Sequence, residues 1–376
     1  MPLPTEGLRK VRQMTAQTTA KPRIELIPHA SPTSPEARAA LMANPGFGKV
    51  FSDHMVTITW SVDRGWHDAQ VRARAPFAID PAAAVLHYAQ EIFEGMKAYR
   101  TPDGLALFRP EENARRLNLS AERMAMPSIP EDLFIEAVET LVRTDAAWVP
   151  EGDGSLYLRP FMFASEAFLG VRPATEYIFC VIASPVGAYF KGGYKAVSVW
   201  VSDDYTRAAP GGTGAAKCGG NYAGSLIAQA EATRNGCDQV VFLDAAERRW
   251  IEELGGMNVF FVMDDKRIVT PPLGTILPGI TRASIMKLAA EAGYTVEERL
   301  YGFDEWQADA KSGKLREAFA CGTAAVIAGI GTVKFREGSF SIGNSGDGEV
   351  TSQLRAKLVG VQRGTVKDDH GWMRSI

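Results

Sequence analysis

The chain is organised around the segment Gly211-Gly212-Thr213-Gly214-Ala215-Ala216-Lys217-Cys218-Gly219-Gly220-Asn221-Tyr222, in which one lysine stands among five glycines. Glycines allow a backbone to approach a ligand closely and to adopt conformations that other residues resist. A phosphate-binding loop of the Gly-x-x-x-x-Gly-Lys-Ser/Thr type is excluded, because Ala216 precedes the lysine and Cys218 follows it. Lys217 is therefore a structural cation, a phosphate ligand or an amine nucleophile.

Length and composition are those of a globular protein with more than one domain. The 376 residues can bury one large core and more readily two. The formal net charge of −3 gives no indication of a nucleic-acid or membrane-surface partner. The stretch 185–194 is rich in glycine and aromatic residues, which predicts a domain boundary. We expect a smaller N-terminal α/β domain over residues 1–186 and a larger C-terminal domain over 187–376.

Neither the cysteines nor the histidines have the spacing of a metal site. The cysteines contain no Cys-x-x-Cys pair, so we expect reduced thiols in a cytoplasmic protein, and no metal. They are Cys180, Cys218, Cys237 and Cys321. No apolar run is long enough to span a bilayer. Residues 1–22 lack the apolar core of a secretory signal, and their composition favours a disordered tail over an organelle-targeting segment.

Apolar periodicity predicts strands interspersed with helices, and hence an α+β (mixed α/β) fold. Mixed helical spacings predict a helix over residues 81–99 that ends near Gly95. A continuous apolar stripe predicts another over 130–148, and two more helices are expected over 221–235 and 280–292. Strands are predicted over residues 56–60, 105–108, 155–163, 177–184, 196–202, 239–244, 259–263, 267–270 and 317–320.

Three segments could bind an anion. Arg109 ends a predicted strand beside Pro110, where its guanidinium is either solvated or placed to hold a phosphate. The helix predicted to begin at Ile280 has free N–H groups in its first turn, and Thr281 adds a hydroxyl. The small residues after Cys321 also offer free N–H groups.

Several separated motifs resemble one enzyme family. Glu253-x-Gly-x-x-Asn258 and Leu277-x-Gly279-Ile280-x-Arg282 resemble the signature of the class IV, D-amino-acid-transaminase-like pyridoxal-phosphate enzymes. Phe93-Glu94-Gly95-Met96-Lys97-Ala98, Lys217-x-Gly-Gly-Asn221-Tyr222 and Gly322-Thr323-Ala324 narrow the resemblance to the branched-chain amino-acid aminotransferases. Gly256 stands where eukaryotic members carry a hydroxyl residue, and residues 325–328 contain no Cys-x-x-Cys, which indicates a bacterial-type member.

The resemblance implies a two-domain fold-type IV architecture with pyridoxal 5'-phosphate at the domain interface. Lys217 would bind the cofactor covalently and later move the α-proton, and Glu253 would pair with the pyridine nitrogen. Tyr222 would hydrogen-bond the phenolic oxygen of the ring, and Leu277 would pack under it. The phosphate would be held by Arg109, Ile280, Thr281 and Thr323, with Arg207 lining the same cup.

The resemblance also implies how the substrate is held. Phe47, Tyr88, Phe93, Tyr157 and Val171 would form an apolar pocket, and Arg159 and the Thr323-Ala324 backbone would meet carboxylates. Because Arg159 lies two residues beyond Tyr157 on one strand, both side chains project from the same face. We therefore expect Arg159 to meet the distal carboxylate of glutamate, although a solvated strand arginine is the alternative. The family further implies a homodimer in which the loop with Gly170 and Val171 closes the partner's pocket.

Three functions compete for these motifs. The first is reversible amino-group transfer between L-leucine, isoleucine or valine and 2-oxoglutarate, in two successive half-reactions. The second is another fold-type IV activity, that of a D-amino-acid transaminase or an aminodeoxychorismate lyase, which the 93–97 block disfavours. The third is a non-catalytic anion-binding or assembly protein, which the intact set of Lys217, Tyr222, Glu253 and Arg109 disfavours.

Overall fold

The computed structural model describes residues 21–187 and 196–376, which fall into two compact units. The first unit lies within Met1–Arg100, Gly104–Gly187 and Arg374–Ile376, and the second within Thr101–Asp103 and Ala188–Met373. Residues 1–20 of the tail predicted over residues 1–22 lie outside the described residues, as does most of the glycine-rich stretch at the predicted boundary. No helix in the described ranges is long and apolar enough to cross a membrane.

The first unit is built on a mixed sheet with helices. Its helices are α1 (Pro35–Ala43), α2 (Ala84–Tyr88), α3 (Pro110–Arg123) and α4 (Glu131–Thr144). Its strands are β1 (Glu25–Leu26), β2 (His54–Ser61), β3 (Gly65–Ala73), β4 (Glu91–Phe93), β5 (Met96–Thr101), β6 (Gly104–Phe108), β7 (Ser155–Ala164) and β8 (Glu176–Val186). The order across the sheet is β1-β3-β2-β8-β7-β5-β6, and β4 also pairs with β7.

Strand β7 occupies the middle of this sheet and is paired on both sides. It runs antiparallel to β8 from the pair Ser155 and Val186 to the pair Ala164 and Tyr177. On its other side it pairs with β4 and β5 in one register, since Phe93 is opposite Phe161 and Met96 is opposite Leu158. Two residues, Glu94 and Gly95, separate β4 from β5 without changing this register. The central position of β7 matters because it carries Tyr157 and Arg159.

The helix predicted over residues 81–99 is wrong for most of its length. Helix α2 ends after Tyr88, and Ala89 follows in the left-handed region with φ 48°. The residues beyond it form β4 and β5, in which Ile92, Met96 and Ala98 are buried. A strand buried on both faces is apolar throughout, so periodicity alone does not distinguish it from a helix. Because β4 and β5 pair with β7, these residues form strands and not a helix.

The apolar stripe predicted over residues 130–148 is confirmed in α4. Its members are fully buried: Leu133, Ala137, Val138, Leu141 and Val142. Helix α3 was not predicted, although Pro110 in its first turn and the acidic Glu111 and Glu112 are ordinary signals of a helix start. This helix begins directly after Arg109, which therefore lies at a strand-to-helix junction.

The second unit contains a second mixed sheet. Its strands are β9 (Val197–Ser202), β10 (Gln239–Leu243), β11 (Ile251–Leu254), β12 (Asn258–Met263), β13 (Arg267–Thr270), β14 (Thr295–Glu298), β15 (Leu315–Gly322), β16 (Val326–Phe335) and β17 (Gly338–Ser341). Its helices are α5 (Gly219–Arg234), α6 (Ile280–Glu291), α7 (Phe303–Ser312) and α8 (Glu349–Gln362). The order is β11-β10-β9-β16-β15-β12-β13-β14, with β17 beside β16. The last strand, β18 (Met373–Ser375), pairs with β6 of the first sheet.

Helix α5, which follows Lys217, is anchored on this sheet by small residues. Ala228 and Ala232, one helical turn apart, are fully buried against Trp200, Val240 and Phe242 of β9 and β10. The other face of the sheet is covered by an aromatic cluster in which the Trp306 ring lies 5.2 Å from that of Phe261. The lysine loop therefore ends on a helix whose position is set by the sheet.

Candidate active site

The loop before Lys217 is closed by the side chain of Asn221. Its amide nitrogen donates to the carbonyl oxygens of Thr213 and Ala216, each at 2.8 Å, and its oxygen accepts from the Thr213 hydroxyl at 2.7 Å. Gly214 lies so close to the neighbouring loop that a Cβ there would be 1.9 Å from the carbonyl oxygen of Thr275. These contacts satisfy the backbone of an irregular segment and hold Lys217 in place.

The structure brings the side chains of Lys217 and Tyr222 into contact. The lysine Nζ donates to the tyrosine Oη at 2.8 Å. Both side chains are partly buried, and Nζ also lies 5.2 Å from the centre of the Tyr222 ring. The five-residue separation in sequence places the lysine in the loop and the tyrosine on the first turn of α5.

Glu253 lies at the buried end of β11 and is surrounded by donors. Arg207 Nη1 is 2.6 Å from its carboxylate, with the two side chains 2% and 3% exposed. The Leu277 N–H donates to it at 3.2 Å and the Asn258 amide at 3.4 Å. Burial raises the pKa of Glu253 to about 7, although the Arg207 guanidinium acts in the opposite direction. A cationic ring nitrogen is the kind of partner that would favour its charged form.

Arg207 lies beside both Glu253 and Tyr222. Its guanidinium carbon lies 5.8 Å from the centre of the Tyr222 ring, and Nη1 donates to the Gly214 carbonyl at 3.4 Å. Its Nε is buried and makes no hydrogen bond within residues 21–187 and 196–376. Lys217, Tyr222, Arg207, Glu253 and Leu277 thus form one continuous series of contacts. The predicted role of Arg207 in holding a phosphate stays a prediction.

The first turn of α6 is the predicted anion site of the second unit. Gly279 precedes the helix, Ile280 is its first residue, and Thr281 is buried. No side chain among the described residues caps this end, so its N–H groups point out of the first turn. Asn258 donates to the Leu277 carbonyl at 3.0 Å and so joins this segment to Glu253. Asn258 had no predicted role, although it lies within the motif that suggested the family.

The turn with Thr323 and Ala324 connects β15 to β16. Gly322 and Val326 face each other across it. Val326 has φ 62°, a left-handed conformation that is unusual for a β-branched residue. Strain of this kind is concentrated at ligand sites, where the surrounding structure enforces it. The turn is therefore a suitable place for backbone N–H groups that bind an anion.

In the first unit, Arg109 also has a strained backbone. It lies in the left-handed region with φ 49° at the N-cap of α3, and its side chain is 17% exposed. Burial lowers its pKa, and the carboxylate of Glu112, 3.6 Å away, opposes this effect. A guanidinium held in a half-buried position at a strained junction fits an anion site better than a solvated surface residue.

Four predicted substrate residues form one cluster in the first unit. The rings of Phe47 and Tyr157 are 5.0 Å apart, edge to face. Arg159 Nη2 donates to the Tyr157 hydroxyl at 3.1 Å, and its guanidinium carbon lies 4.7 Å from the centre of the Phe93 ring. Arg159 Nε is buried without a hydrogen-bond partner in the part of the chain that the structure describes. Tyr157 and Arg159 therefore share a face, as their spacing predicted.

Tyr88 and Val171 belong to a different region of the same unit. The Tyr88 hydroxyl donates to the carbonyl of Leu169. Leu169 and Val171 lie at a loop tip, where they are 66% and 87% exposed. The ion pair of Glu166 with Arg172 closes the base of this loop at 2.6 Å. The loop therefore has an exposed apolar tip and a tethered base.

The second-unit residues fit a phosphorylated pyridine aldehyde. Such a group requires an amine, a phenol, an acid for its ring nitrogen and N–H groups for its phosphate. The series from Lys217 to Leu277 supplies the first three, and the uncapped start of α6 supplies the last. The buried, unpaired Nε of Arg207 leaves room for one more acceptor at the same place.

Comparison with known proteins identifies the family. The family model described as amino-transferase class IV matches residues 91–333, which is more than half of the chain. The chain therefore belongs to the class IV aminotransferases.

Relatives of high sequence identity indicate the activity. The probable branched-chain-amino-acid aminotransferase of Streptomyces coelicolor is 58% identical over 94% of this chain and 99% of its own length. The branched-chain-amino-acid aminotransferase of Mycolicibacterium smegmatis is 57% identical over 93% of this chain and 96% of its own. The activity of the chain is accordingly that of a branched-chain-amino-acid transaminase, and the resemblance read from the motifs is confirmed.

Solved structures agree on the fold. The T.th. branched-chain amino acid aminotransferase with pyridoxamine 5'-phosphate has a TM-score of 0.71 at 28% identity, over 85% of this chain and 98% of that one. Structures of the same protein complexed with N-(5'-phosphopyridoxyl)-L-glutamate and with 4-methylvaleric acid have TM-scores of 0.70 and 0.68. The predicted α+β, fold-type IV class is confirmed.

Proposed function

We propose that this chain reversibly transfers the amino group between L-leucine, isoleucine or valine and 2-oxoglutarate, with pyridoxal 5'-phosphate bound to Lys217. The observation that carries the proposal is the hydrogen bond between the amine of Lys217 and the phenol of Tyr222, in contact through Arg207 with the buried Glu253. Support comes from the T.th. relative, whose structures contain pyridoxamine 5'-phosphate and a phosphopyridoxyl derivative of glutamate.

Lys217 has two tasks in this proposal. Its amine would hold the cofactor covalently, and it would also move the proton at the substrate α-carbon. The bound cofactor supplies an electron sink for the bond that breaks. Tyr222 donates to or accepts from the phenolic oxygen of the ring and orients the Nζ of Lys217. Glu253 would pair with the ring nitrogen in its charged form, which the Arg207 guanidinium favours against the effect of burial.

The phosphate is assigned to groups that offer N–H or guanidinium donors. These are Arg109, the first turn of α6 with Ile280 and Thr281, and Thr323. A dianion at a helix N-terminus is favoured by the free N–H groups and by the helix dipole. Leu277, with 9% exposure, supplies an apolar surface for the ring.

The substrate side chain is assigned to the cluster on β4 and β7. Phe47, Phe93 and Tyr157 can bury an aliphatic chain, where each methylene contributes about 0.8 kcal/mol. A buried carboxylate instead needs a cation or several donors, which Arg159 provides. We assign the α-carboxylate to the backbone N–H groups of Thr323 and Ala324, and we place Tyr88 and Val171 at the border of the pocket.

Four broader predictions accompany the function. The chain acts as a homodimer, for which the exposed loop tip at Val171 is the support. It resides in the cytoplasm, in keeping with four cysteines that are all buried and free. Its partners are small molecules, namely the branched-chain amino acids, glutamate and their 2-oxo acids. We retain residues 1–186 and 187–376 as the two domains.

The experiment compares the purified wild-type protein with Lys217→Ala. The wild type should be yellow and lose its colour with a carbonyl reagent. It should transaminate L-leucine with 2-oxoglutarate but leave D-alanine unreacted, which separates it from the D-specific alternative. Lys217→Ala should retain the bound cofactor without the covalent link and lose several orders of magnitude in turnover, since the amine has two roles. Near-normal turnover in this variant would contradict the assignment.

A further inference from the structure

Glu94 is a fully buried acid that has no part in the proposed chemistry. Its relative exposure is 0%, and it lies between β4 and β5, directly after the substrate residue Phe93. Arg116, whose side chain is 7% exposed, donates Nε to one carboxylate oxygen and Nη2 to the other, each at 2.8 Å. A bidentate pair of this kind has a defined geometry as well as a favourable energy.

The network continues from this ion pair to the backbone of Gly95. The Gly95 N–H donates to the Glu94 carboxylate at 3.1 Å. Asn113 donates its amide to the same carboxylate at 2.7 Å and to the Gly95 carbonyl at 3.3 Å. Because Asn113 and Arg116 are three residues apart on α3, they share one face of that helix. Both backbone groups of Gly95 are therefore held by buried side chains.

Gly95 is the surface against which Tyr157 lies. A Cβ at position 95 would be 2.3 Å from the Tyr157 hydroxyl oxygen, so the phenol occupies the space that any other residue would fill. The same hydroxyl accepts from Arg159 Nη2 at 3.1 Å. The register of β4 and β5 on β7 places Gly95 directly opposite Arg159. The position of the Gly95 peptide thus decides where the phenol and the guanidinium stand.

We propose that Glu94, held by Arg116 and Asn113, is a positioning residue that sets how well the protein distinguishes a carboxylate-bearing side chain from an aliphatic one. The inference rests on the proposed function, because that function assigns Tyr157 and Arg159 to the substrate side chain. A buried ion pair adds little net stability compared with apolar residues of the same size. The ion pair of Glu94 with Arg116 instead fixes the backbone of Gly95, and the Gly95 backbone in turn fixes the position of Arg159.

The test uses holoenzyme with Asn113→Ala. This variant removes both hydrogen bonds of the Asn113 side-chain amide and leaves the ion pair of Glu94 with Arg116 intact, so that the fold is retained. Without these bonds the Gly95 backbone no longer fixes Arg159, which weakens the hydrogen bond of Arg159 to the glutamate side-chain carboxylate. Because the loss of one hydrogen bond to a charged group weakens binding by about tenfold, kcat/KM for glutamate should fall about tenfold, mainly through KM. The leucine half-reaction should change far less. Gly95→Ala, which displaces the Tyr157 hydroxyl directly, should produce the same selective loss.

Asp145→Asn is the matched control. Asp145 is a buried acid of the same unit that accepts from the backbone N–H of His54 at 3.0 Å and lies 2.6 Å from its ring Nδ1. This control should lower the melting temperature and leave the ratio of glutamate to leucine efficiency unchanged. If it changed that ratio as Asn113→Ala does, or if Asn113→Ala affected both substrates equally, the positioning role would be overturned.

Calorimetry with two unreactive acids separates this inference from the function on which it rests. Glutarate carries a second carboxylate and 4-methylvalerate an aliphatic end. Asn113→Ala should weaken glutarate binding about tenfold and 4-methylvalerate binding little. This measurement needs no turnover, so it decides the positioning role even where the transaminase assay fails. Equal weakening of both acids would overturn the role.

Discussion

At the scale of the residue, Arg159 combines burial with an unused donor. Its Nη2 is occupied by Tyr157, whereas its Nε is buried without a hydrogen-bond partner in the described residues. Burying a polar atom without a hydrogen-bond partner lowers the stability of a folded protein, and a bound carboxylate would provide the missing acceptor. We therefore expect Arg159 to act only when glutamate or 2-oxoglutarate is present.

We expect Arg159→Met to reduce the glutamate half-reaction selectively. Methionine keeps much of the apolar bulk but removes the cation, so the loss for glutamate should be about tenfold to hundredfold and that for leucine a few-fold. Single-turnover kinetics of the two half-reactions measure the two losses separately. Arg64→Met, at an exposed arginine of the same unit, is the control and should change neither. Equal losses, or a selective loss for leucine, would show that Arg159 is a structural residue.

Glu253 should make the stability of the cofactor-free protein depend on pH. Its folded-state pKa of about 7 lies above its ordinary value of 4.5 because of burial. The folded protein therefore holds this proton more tightly than the unfolded chain, and the contribution to stability is complete below pH 4.5. It is lost as pH rises through about 7, with a magnitude of up to ~3 kcal/mol.

Denaturant unfolding of the cofactor-free wild type and of Glu253→Gln between pH 5 and 8 measures this effect. The glutamine leaves Arg207 without its ion pair and lowers stability at every pH, so the slope is the quantity to compare. The wild type should lose more stability than the variant as pH rises. Identical slopes would mean that Glu253 is charged throughout this range.

At the scale of the element, the start of α6 depends on a close approach between Gly279 and Asn258. A Cβ on Gly279 would lie 2.1 Å from Asn258 Oδ1. The same Asn258 side chain holds Leu277 and Glu253 through its amide. The helix start and the acid are therefore connected by one side chain, and the two ends of a bound cofactor would depend on a shared support.

Gly279→Ala should weaken pyridoxal-phosphate binding by tenfold or more, because Asn258 must move and release the Leu277 carbonyl. Fluorescence titration of the cofactor-free protein measures this affinity. Gly224→Ala in α5 is the control, since a Cβ there meets open space. That change should leave the affinity unaltered and stabilise the helix by about 0.5–1 kcal/mol. Unchanged affinity in Gly279→Ala would argue against the α6 start as the phosphate site.

At the scale of the whole molecule, the loop tip with Leu169 and Val171 should be an interface between two copies of the chain. Val171→Asp should shift sedimentation equilibrium towards monomer and reduce activity, because a buried charge opposes association. Val62→Asp places the same charge at another apolar surface position, 37% exposed, and should leave the assembly intact. A wild-type monomer that is active at assay concentration would refute the dimer.

Some features of this protein could be predicted from its sequence alone. The helix after Lys217 and the stripe of α4 were predicted because their signals are local: a helical periodicity and the residues that begin and end it. The class of enzyme was also predictable, since Lys217, Tyr222 and Glu253 lie in motifs that resemble those of a known enzyme family. In the structure the Nζ of Lys217 donates to the Tyr222 hydroxyl at 2.8 Å, while the roles of these residues stay predictions.

Other features were decided only by the tertiary structure. Residues 91–101 form strands rather than a helix because β7 pairs with them from a distant part of the chain. The ion pair of Arg207 with Glu253 and that of Arg116 with Glu94 likewise join segments far apart in sequence. Local periodicity carries no information on such partners, because burial and pairing become known only when the distant strand or helix is in place.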